Sequence, residues 1–425
     1  MKTIIEHLKK NPQVSDYKIN LNRKESFELF FVKGRLETAR CTDSCDRQVT
    51  IYVNHGDYKG DSPFFVYPST TEAQLDEKIE GAVRNALLIE NKPYELPGKE
   101  TGEFQVASNF EGQALPELAM TIADAVFGAN TLAHGSLNSV EVFLNRHTDH
   151  VVNSRGLDKI QHRYTAMVEA IPTYNGETQS VELYEQYNFS SLSLEALTAE
   201  IARKMQEVQA RYEAVTPDFS LDCPVVLQKQ ELHDLFSNFA GDLNYSTVYG
   251  HGNLFHKGDR VQTEPTGDRL TLTMKGAAEG NIKSTSFDGD GMSLGEITLI
   301  RDGLVENYYG SNRFGQYLGE TPTGNLGCLC VAPGSAKCAD LEGKAFLEVI
   351  SMSGLQVDFF NDYIGGEIRL ARYYDGKGGC TPVTGVSISG KLKEVLNHIR
   401  LSADTDIHDA YMGPAAAILS GLKIF

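Results

Sequence analysis

His251 and His256 stand in Gly250-His251-Gly252-Asn253-Leu254-Phe255-His256-Lys257, and Cys380 follows much later in the chain. Imidazole and thiolate are donors that a zinc ion takes. The two histidines are five residues apart, about 500° of rotation on an α-helix, so a helix would not aim both at one ion. Glycines on either side of His251 favour a loop, where the spacing carries no information. A hydrolase built on a helix also pairs its histidine ligands with an adjacent carboxylate as general base, and neither histidine has one. His251, His256 and Cys380 are the metal candidates of this sequence. The residues alone assign the chain no catalytic, cofactor-binding or metal-binding set.

Other motifs fail for stated reasons. Cys328-x-Cys330 is tighter than the two-residue spacer of a zinc knuckle. Gly291-Met292-Ser293-Leu294-Gly295 has the letters of a nucleophile elbow, which needs a helix after it, whereas Glu296 to Ile300 reads as a strand. Asp288-Gly289-Asp290-Gly291 opens like a calcium loop, but Met292 and Leu299 occupy ligand positions, and a turn is the expectation. No phosphate-binding or dinucleotide fingerprint is present.

The elements that would position such residues are readable from periodicity. Leu232, Leu235, Phe236, Phe239 and Leu243 share one helical face, predicting a buried helix over residues 230–243, and Asn244 to Lys257 reads as a loop. Upstream, strands are predicted at Phe27 to Val32, Gln48 to Val53 and Phe64 to Tyr67. Thr71 and Gln74 stand at capping-box spacing before a helix striped by Leu75, Ile79, Val83 and Leu87. A like order follows about 113 residues later: Val140 to Leu144, Tyr164 to Ile171, Leu183 to Tyr187, then a helix through Leu194, Leu197, Ile201, Met205 and Val208. An internal duplication is expected, with a further helix over Leu115 to Asn130 between the copies. After Ala214 to Asp218 the chain becomes short β-branched runs between Gly, Asp and Pro turns. Only the 230–243 helix and a Lys391 to Ile399 segment are expected to interrupt them. The expected fold class is α+β. A domain over 1–215, with repeat units about 20–95 and 135–212, precedes a mainly antiparallel domain over 221–425.

With 425 residues, a net charge of -18 and a pI near 5.1, the chain would repel a phosphate backbone, and no basic cluster stands out. No nucleic-acid partner is expected. No apolar run reaches the roughly 20 residues of a bilayer span, and no membrane association is expected either. The seven cysteines are odd in number and irregularly spaced, as in reduced thiols, so a cytoplasmic location is expected.

Across residues 284–392 the order of motifs resembles the TldD/TldE (PmbA) family, also called modulators of DNA gyrase. Ser286-Phe287-Asp288-Gly289-Asp290-Gly291-Met292 comes first, then Ile300-Arg301-Asp302-Gly303-Leu304-Val305, Leu318-Gly319 with Thr323-Gly324-Asn325, and Val331-Ala332-Pro333-Gly334. Gly366-Glu367-Ile368, Pro382-Val383 and Ser387-Ile388-Ser389-Gly390-Lys391-Leu392 follow. The resemblance implies a cytosolic zinc metallopeptidase of two related subunits. TldD-type chains carry His-Glu-x-x-x-His on a helix plus a later Cys, and TldE-type chains carry neither. Matching Lys257-Gly258 to the family's Lys-Gly puts the motif at Leu243 to Val248, with neither ligand nor base. The family's Cys-Gly-Lys corresponds to Asp375-Gly376-Lys377, near Cys380 but not on it. The chain is most similar to the TldE type. The implied role is a non-catalytic subunit binding extended peptide by strand addition along a sheet edge. Its implied partner is a TldD-type chain that carries the zinc, or a second copy in a homodimer. The alternatives are an active metallopeptidase using His251 and His256, or a homodimeric peptide-binding protein without an enzymatic partner.

Overall fold

The computed structural model describes residues 1–218 and 221–425. Helix α1 (Lys2–Lys10) precedes a meander of β1 (Asp16–Val32), β2 (Arg35–His55) and β3 (Tyr58–Phe65), which α2 (Glu72–Ala86) follows. After β4 (Thr101–Gln105) and α3 (Leu115–Gly128) the order returns. The strands are β5 (Gly135–Asn153), β6 (Asp158–Asn175), β7 (Ser180–Glu182) and β8 (Glu185–Phe189), and the helix is α4 (Leu194–Glu213). All eight strands form one sheet in the order β3-β2-β1-β5-β6-β4, with β7 and β8 also paired to β6. The two units meet along β1 and β5, which run antiparallel with Phe27 opposite Leu144, Leu29 opposite Val142 and Phe31 opposite Val140. The segments whose likeness shows in the sequence are therefore hydrogen-bonded neighbours.

Strand residues alternate between faces, and this alternation sets the layers. Ile19, Val49 and Ile51 pack under Leu75, Ile79 and Val83 of α2, whose first turn has the reciprocal Thr71–Gln74 capping box. Leu29, Val142, Ala166 and Val168 pack under Leu197, Ile201, Met205 and Val208 of α4, together with Ile122 and Val126 of α3. Both helices thus cover the same face of the sheet. The opposite face carries Asn20, Asn22 and Lys24 of β1, Asn145, His147 and Asp149 of β5, and Gln161 and Arg163 of β6. Those polar alternates explain why the sequence shows strand β1 only from Phe27 onward although it begins at Asp16.

The second half runs through β9 (Val225–Gln228), α5 (Lys229–Asp242), α6 (Tyr245–Tyr249), β10 (Leu272–Lys275), β11 (Glu296–Arg301), β12 (Leu304–Val305) and α7 (Asn312–Leu318). It continues with β13 (Cys328–Val331), β14 (Ala345–Met352), β15 (Gln356–Asp358), β16 (Tyr363–Asp375), β17 (Cys380–Val383) and β18 (Val386–Lys391). The last elements are α8 (Leu392–His398), β19 (Arg400–Leu401), β20 (Thr405–His408), β21 (Tyr411–Pro414), β22 (Ala416–Leu419) and β23 (Lys423–Ile424). One sheet has the order β12-β11-β10-β13-β21-β20, and the other follows β19-β22-β9-β14-β16-β18-β23 with β15 and β17 on β16. Within these two sheets only the β13–β21 and β9–β14 pairings are parallel among the described residues. Helix α5 lies between the sheets. It touches β13, β20 and β21 of the first and β9, β15 and β22 of the second, burying Leu232, Leu235, Phe236 and Phe239.

Two short helices depart from the expected second half. Residues Tyr245–Tyr249, expected as loop, form α6 because the Asn244 side chain accepts the Ser246 N–H at 3.0 Å and caps it. Helix α7 is capped by Ser311 and stopped by Gly319, whose φ of 70° is a left-handed conformation that glycine adopts at little cost. Both are shorter than two full periods, too short for an apolar stripe to show.

Phe236 is 1% exposed and stacks on Tyr411 with ring centroids 6.3 Å apart. Phe236→Ala should lower the unfolding free energy by roughly 3–5 kcal/mol in denaturant titration, because the cavity would lie between two sheets that cannot both close over it. A loss below about 1 kcal/mol would show that the site refills.

Candidate functional site

The polar face of the eight-stranded sheet is clamped to residues 285–293 of the second half. The Gln161 carboxamide oxygen accepts the Ser286 N–H at 2.8 Å and the Thr285 hydroxyl at 2.9 Å. Lys159 is fully buried and donates to the Gly291 carbonyl at 3.0 Å and the Ser293 hydroxyl at 2.6 Å, while Glu100 balances its charge at 2.6 Å. Asn20 donates to the Gly289 carbonyl at 2.8 Å, and Lys18 pairs with Asp290. Gly291 has φ +83°, and a Cβ there would stand 2.6 Å from a Leu157 methyl, so the loop passes too close to the sheet for a side chain.

These contacts decide two of the motifs. Ser293 of the Gly-x-Ser-x-Gly run bonds Lys159 and Glu100 and is followed by strand β11, not by a helix. Asp288 accepts the N–H groups of Asp290 (2.9 Å), Met292 (3.0 Å) and Asn325 (2.9 Å), so its carboxylate closes a turn. Burial, reinforced by Asp290, raises the Asp288 carboxyl above its usual range.

Between the sheet and this loop runs a cleft of about 820 Å³. Six carboxamides line it: Asn20, Asn22, Asn145, Gln161, Asn188 and Asn325. Asn145 donates to the Thr165 hydroxyl at 3.2 Å, but its own carbonyl oxygen is buried with no hydrogen-bond partner. His147 shares that hydroxyl at 2.8 Å, and burial, with Arg163 nearby, brings its imidazole down to about 4, so it is neutral at pH 7. Asp149 is held by Arg163 at 3.0 Å. A wall of carboxamides presents paired donors and acceptors, which match the N–H and C=O of a peptide backbone irrespective of side chain.

The three metal candidates are scattered. His251 is exposed with φ 56° in the turn after α6. His256 is exposed beside Asp259, whose carboxylate accepts its backbone N–H at 2.8 Å. Cys380 is exposed on β17, on the rim of a separate cleft of about 540 Å³ containing the stacked Phe346 and Tyr374 rings. No hydrogen bond or ion pair joins any two of these three among the described residues.

The window Leu243 to Val248 straddles the end of α5 and the short helix α6. Leu243 is fully buried at the C-terminal end of α5 and Tyr245 is 2% exposed, so both belong to the core. On α5, His233, Asp234 and Asn238 stand at the spacing of a His-Glu-x-x-x-His motif. Sequence reasoning passed over this pair. The signal in the sequence is a His-acid dipeptide on the predicted helix, set beside a stronger apolar stripe. The Nδ1 of His233 is buried without a hydrogen bond and lies 3.6 Å from Asp234, and Asn238 donates to the Asp234 carbonyl at 2.6 Å. His408 on β20 bonds Gln230 at 3.2 Å. Burial holds its imidazole below the usual range, with Lys229 and His233 adding to it against Asp409.

A catalytic zinc takes three protein donors and an open position. His233 and His408 supply two imidazoles. Among the described residues no group of three or more His, Cys, Asp or Glu is placed to hold a metal. The donor set here does not fit a catalytic zinc.

Comparison with known proteins fits this architecture. Residues 220–424 match the model of the PmbA/TldA metallopeptidase C-terminal domain. A metalloprotease PmbA homolog of Haemophilus influenzae is 22% identical over 218 residues, covering 48% of this chain and 46% of that protein, so the match spans about half the curated relative's length. The crystal structure of TldE from Thermococcus kodakarensis superposes with a TM-score of 0.81 at 16% identity, covering 100% of this chain and 99% of that one. A candidate modulator of a DNA gyrase from Thermotoga maritima gives 0.80 at 16% identity, again covering 100% and 99%. At those identities the structural likeness is one of fold. The chain joins a helix-backed sheet to a two-sheet second half that matches a metallopeptidase C-terminal domain. Residues 220–424 thus match a PmbA/TldA metallopeptidase C-terminal domain, and the whole chain has the fold of TldE.

Glu231, in the first turn of α5, gives a test of this region. Burial, with Asp234 and Glu185 adding to it against Lys204, raises its carboxyl to about 7. A carboxyl raised on folding contributes stability that is complete below its unfolded value near 4.5 and is lost as pH rises through about 7. Glu231→Gln should therefore be stabilising at pH 8 and about neutral at pH 4, a difference of roughly 2–3 kcal/mol in paired denaturation curves. Parallel curves for the two proteins across that range would refute the assignment.

Proposed function

We propose that this chain is a TldE-type, non-catalytic subunit of a cytosolic zinc metallopeptidase. It holds extended peptide while a TldD-type chain supplies the metal and the general base. One observation carries the reading: the carboxamide-lined cleft with the unpartnered, buried Asn145 acceptor. A buried acceptor without a donor costs about 1–3 kcal/mol, and a peptide N–H entering the cleft would relieve that cost. On α5, Asn238 stands five residues after His233, the spacing of a second imidazole ligand, and a carboxamide nitrogen has no lone pair for a metal. The neighbouring His147 is neutral and adds no charge of its own beside the Asn145 acceptor.

Two measurements test this. Fluorescence anisotropy with a labelled, unstructured peptide of alternating Gly, Ser and Asn should show saturable binding, weakened about tenfold by Asn145→Leu. Equal affinity for both proteins would remove the cleft from the reading. Elemental analysis of the isolated chain should find no stoichiometric zinc, and peptide hydrolysis should need an added TldD-type chain. Zinc at one per chain together with hydrolysis by the chain alone, abolished by His233→Ala, would replace the subunit reading with an independent enzyme.

A further inference from the structure

Strand alternation brings Lys18 and Lys24 of β1, Arg40 of β2, Lys59 of β3, and Lys159 and Arg163 of β6 onto the face of the eight-stranded sheet that bears the cleft. All but one of these cations meet a carboxylate. Lys18 pairs with Asp290, Arg40 with Glu28, Lys59 with Asp16 at 2.7 Å, Lys159 with Glu100 at 2.6 Å and Arg163 with Asp149 at 3.0 Å. Lys24 is half-buried and lines the cleft, yet no hydrogen bond or ion pair reaches its ammonium among the described residues. It stands between Ser44 and His147 in a row that continues to Arg163. Its charge adds to burial and to Arg163 in holding the His147 imidazole down, against Asp149. Asn145, whose carbonyl oxygen is the unpartnered acceptor, is diagonal to Lys24 across β1 and β5. Side chains so placed start about 7–8 Å apart, within reach of a lysine. Asp46, diagonal to Lys24 on β2, is exposed, and no ion pair joins the two.

We propose that Lys24 and Asn145 form a carboxylate subsite within the cleft, so that the cleft prefers a peptide that seats a carboxylate on Lys24 and the adjacent backbone N–H on Asn145. The inference rests on the peptide reading above and names the kind of peptide. A free donor and a free acceptor side by side match an N-acylated amino acid, in which an N–H and a carboxylate flank one carbon at a chain end, or are one or two carbons further apart in an Asp or Glu residue. Hydrogen bonds to ionised partners are the stronger ones, and a half-buried ammonium without a counter-ion has the most to gain from one. Lys283, exposed on the opposite wall, also has no carboxylate partner among the described residues and adds positive potential. The net charge of -18 opposes an acidic ligand only at long range, since salt at physiological strength screens charges beyond about 8 Å. Selection therefore falls to the ammonium inside the cleft.

Fluorescence anisotropy with an uncharged N-terminal label compares three peptides of the same Gly, Ser and Asn composition. One ends in a carboxamide, one in a free carboxylate, and one in a carboxamide with a single central Asp. The free-carboxylate peptide, the Asp peptide or both should bind the wild type at least about tenfold more tightly than the neutral one. Which of them gains tells whether the subsite takes a chain end or a side chain. Lys24→Gln should bring the gain down to the neutral peptide's affinity, and Lys24→Arg, which keeps the charge, should keep the preference. Equal affinity of the wild type for all three peptides, a preference that survives Lys24→Gln, or one that Lys24→Arg also loses would overturn the subsite while leaving the cleft as a peptide site. Failure of all three peptides to bind would overturn the peptide reading and the subsite with it.

Discussion

A fully buried ammonium holds the molecule together across its halves. Lys159 cannot stay charged in that position without partners, and it obtains them from both halves at once: Glu100 beside it, and the Gly291 carbonyl and Ser293 hydroxyl opposite. Phe104 and Phe287 close over it with ring centroids 5.9 and 6.0 Å from its nitrogen. A buried cation stripped of one partner costs far more than a surface pair contributes. The position of the 285–293 loop is therefore fixed by a desolvation penalty, and the width of the cleft beside it follows. Gln161 adds the same constraint with a neutral group, since its carbonyl accepts and its amide donates across the junction.

Much of the architecture was legible from periodicity. The α5 stripe, the capped α2 and the two strand-rich units all follow from apolar spacing, because each buries one face against one layer. The outer part of β2 and the first eleven residues of β1 were not legible. Their apolar count is low because one face meets water or the other half, and period-2 alternation of polar with half-polar residues is a faint signal. The third strand of the second unit was expected as one run over Leu183 to Tyr187 and is two short strands, β7 and β8, parted at Leu183-Tyr184.

The site was less legible than the fold, for a physical reason. Glycine-flanked histidines attract notice in a sequence, yet His251 and His256 sit in solvent-exposed loop positions with no shared target. The residues that do converge come from distant strands. Asn20, Asn145 and Gln161 meet because β1, β5 and β6 are neighbours, and Asn325 joins them from the second half, where Asp288 holds it. Carboxamides on a strand look like ordinary surface polarity until the opposing wall is known. His233 could have been found, since it precedes an acidic residue on a helix that the pattern had already predicted. His408, on a four-residue strand, could not.

The alternation along β1 and β5 has a consequence for how such a chain can change over time. Each of these strands serves two masters, helices on one side and the cleft on the other, and the register between them runs unbroken from Lys18 opposite Asn153 to Val32 opposite Ser139. Replacing one residue alters one contact. Inserting or deleting one residue would carry every later side chain to the wrong layer, sending asparagines into the oil and leucines into the water. Lineages of this protein are therefore free to drift in spelling, as identities near 16% at full-length coverage illustrate, but are locked in metre.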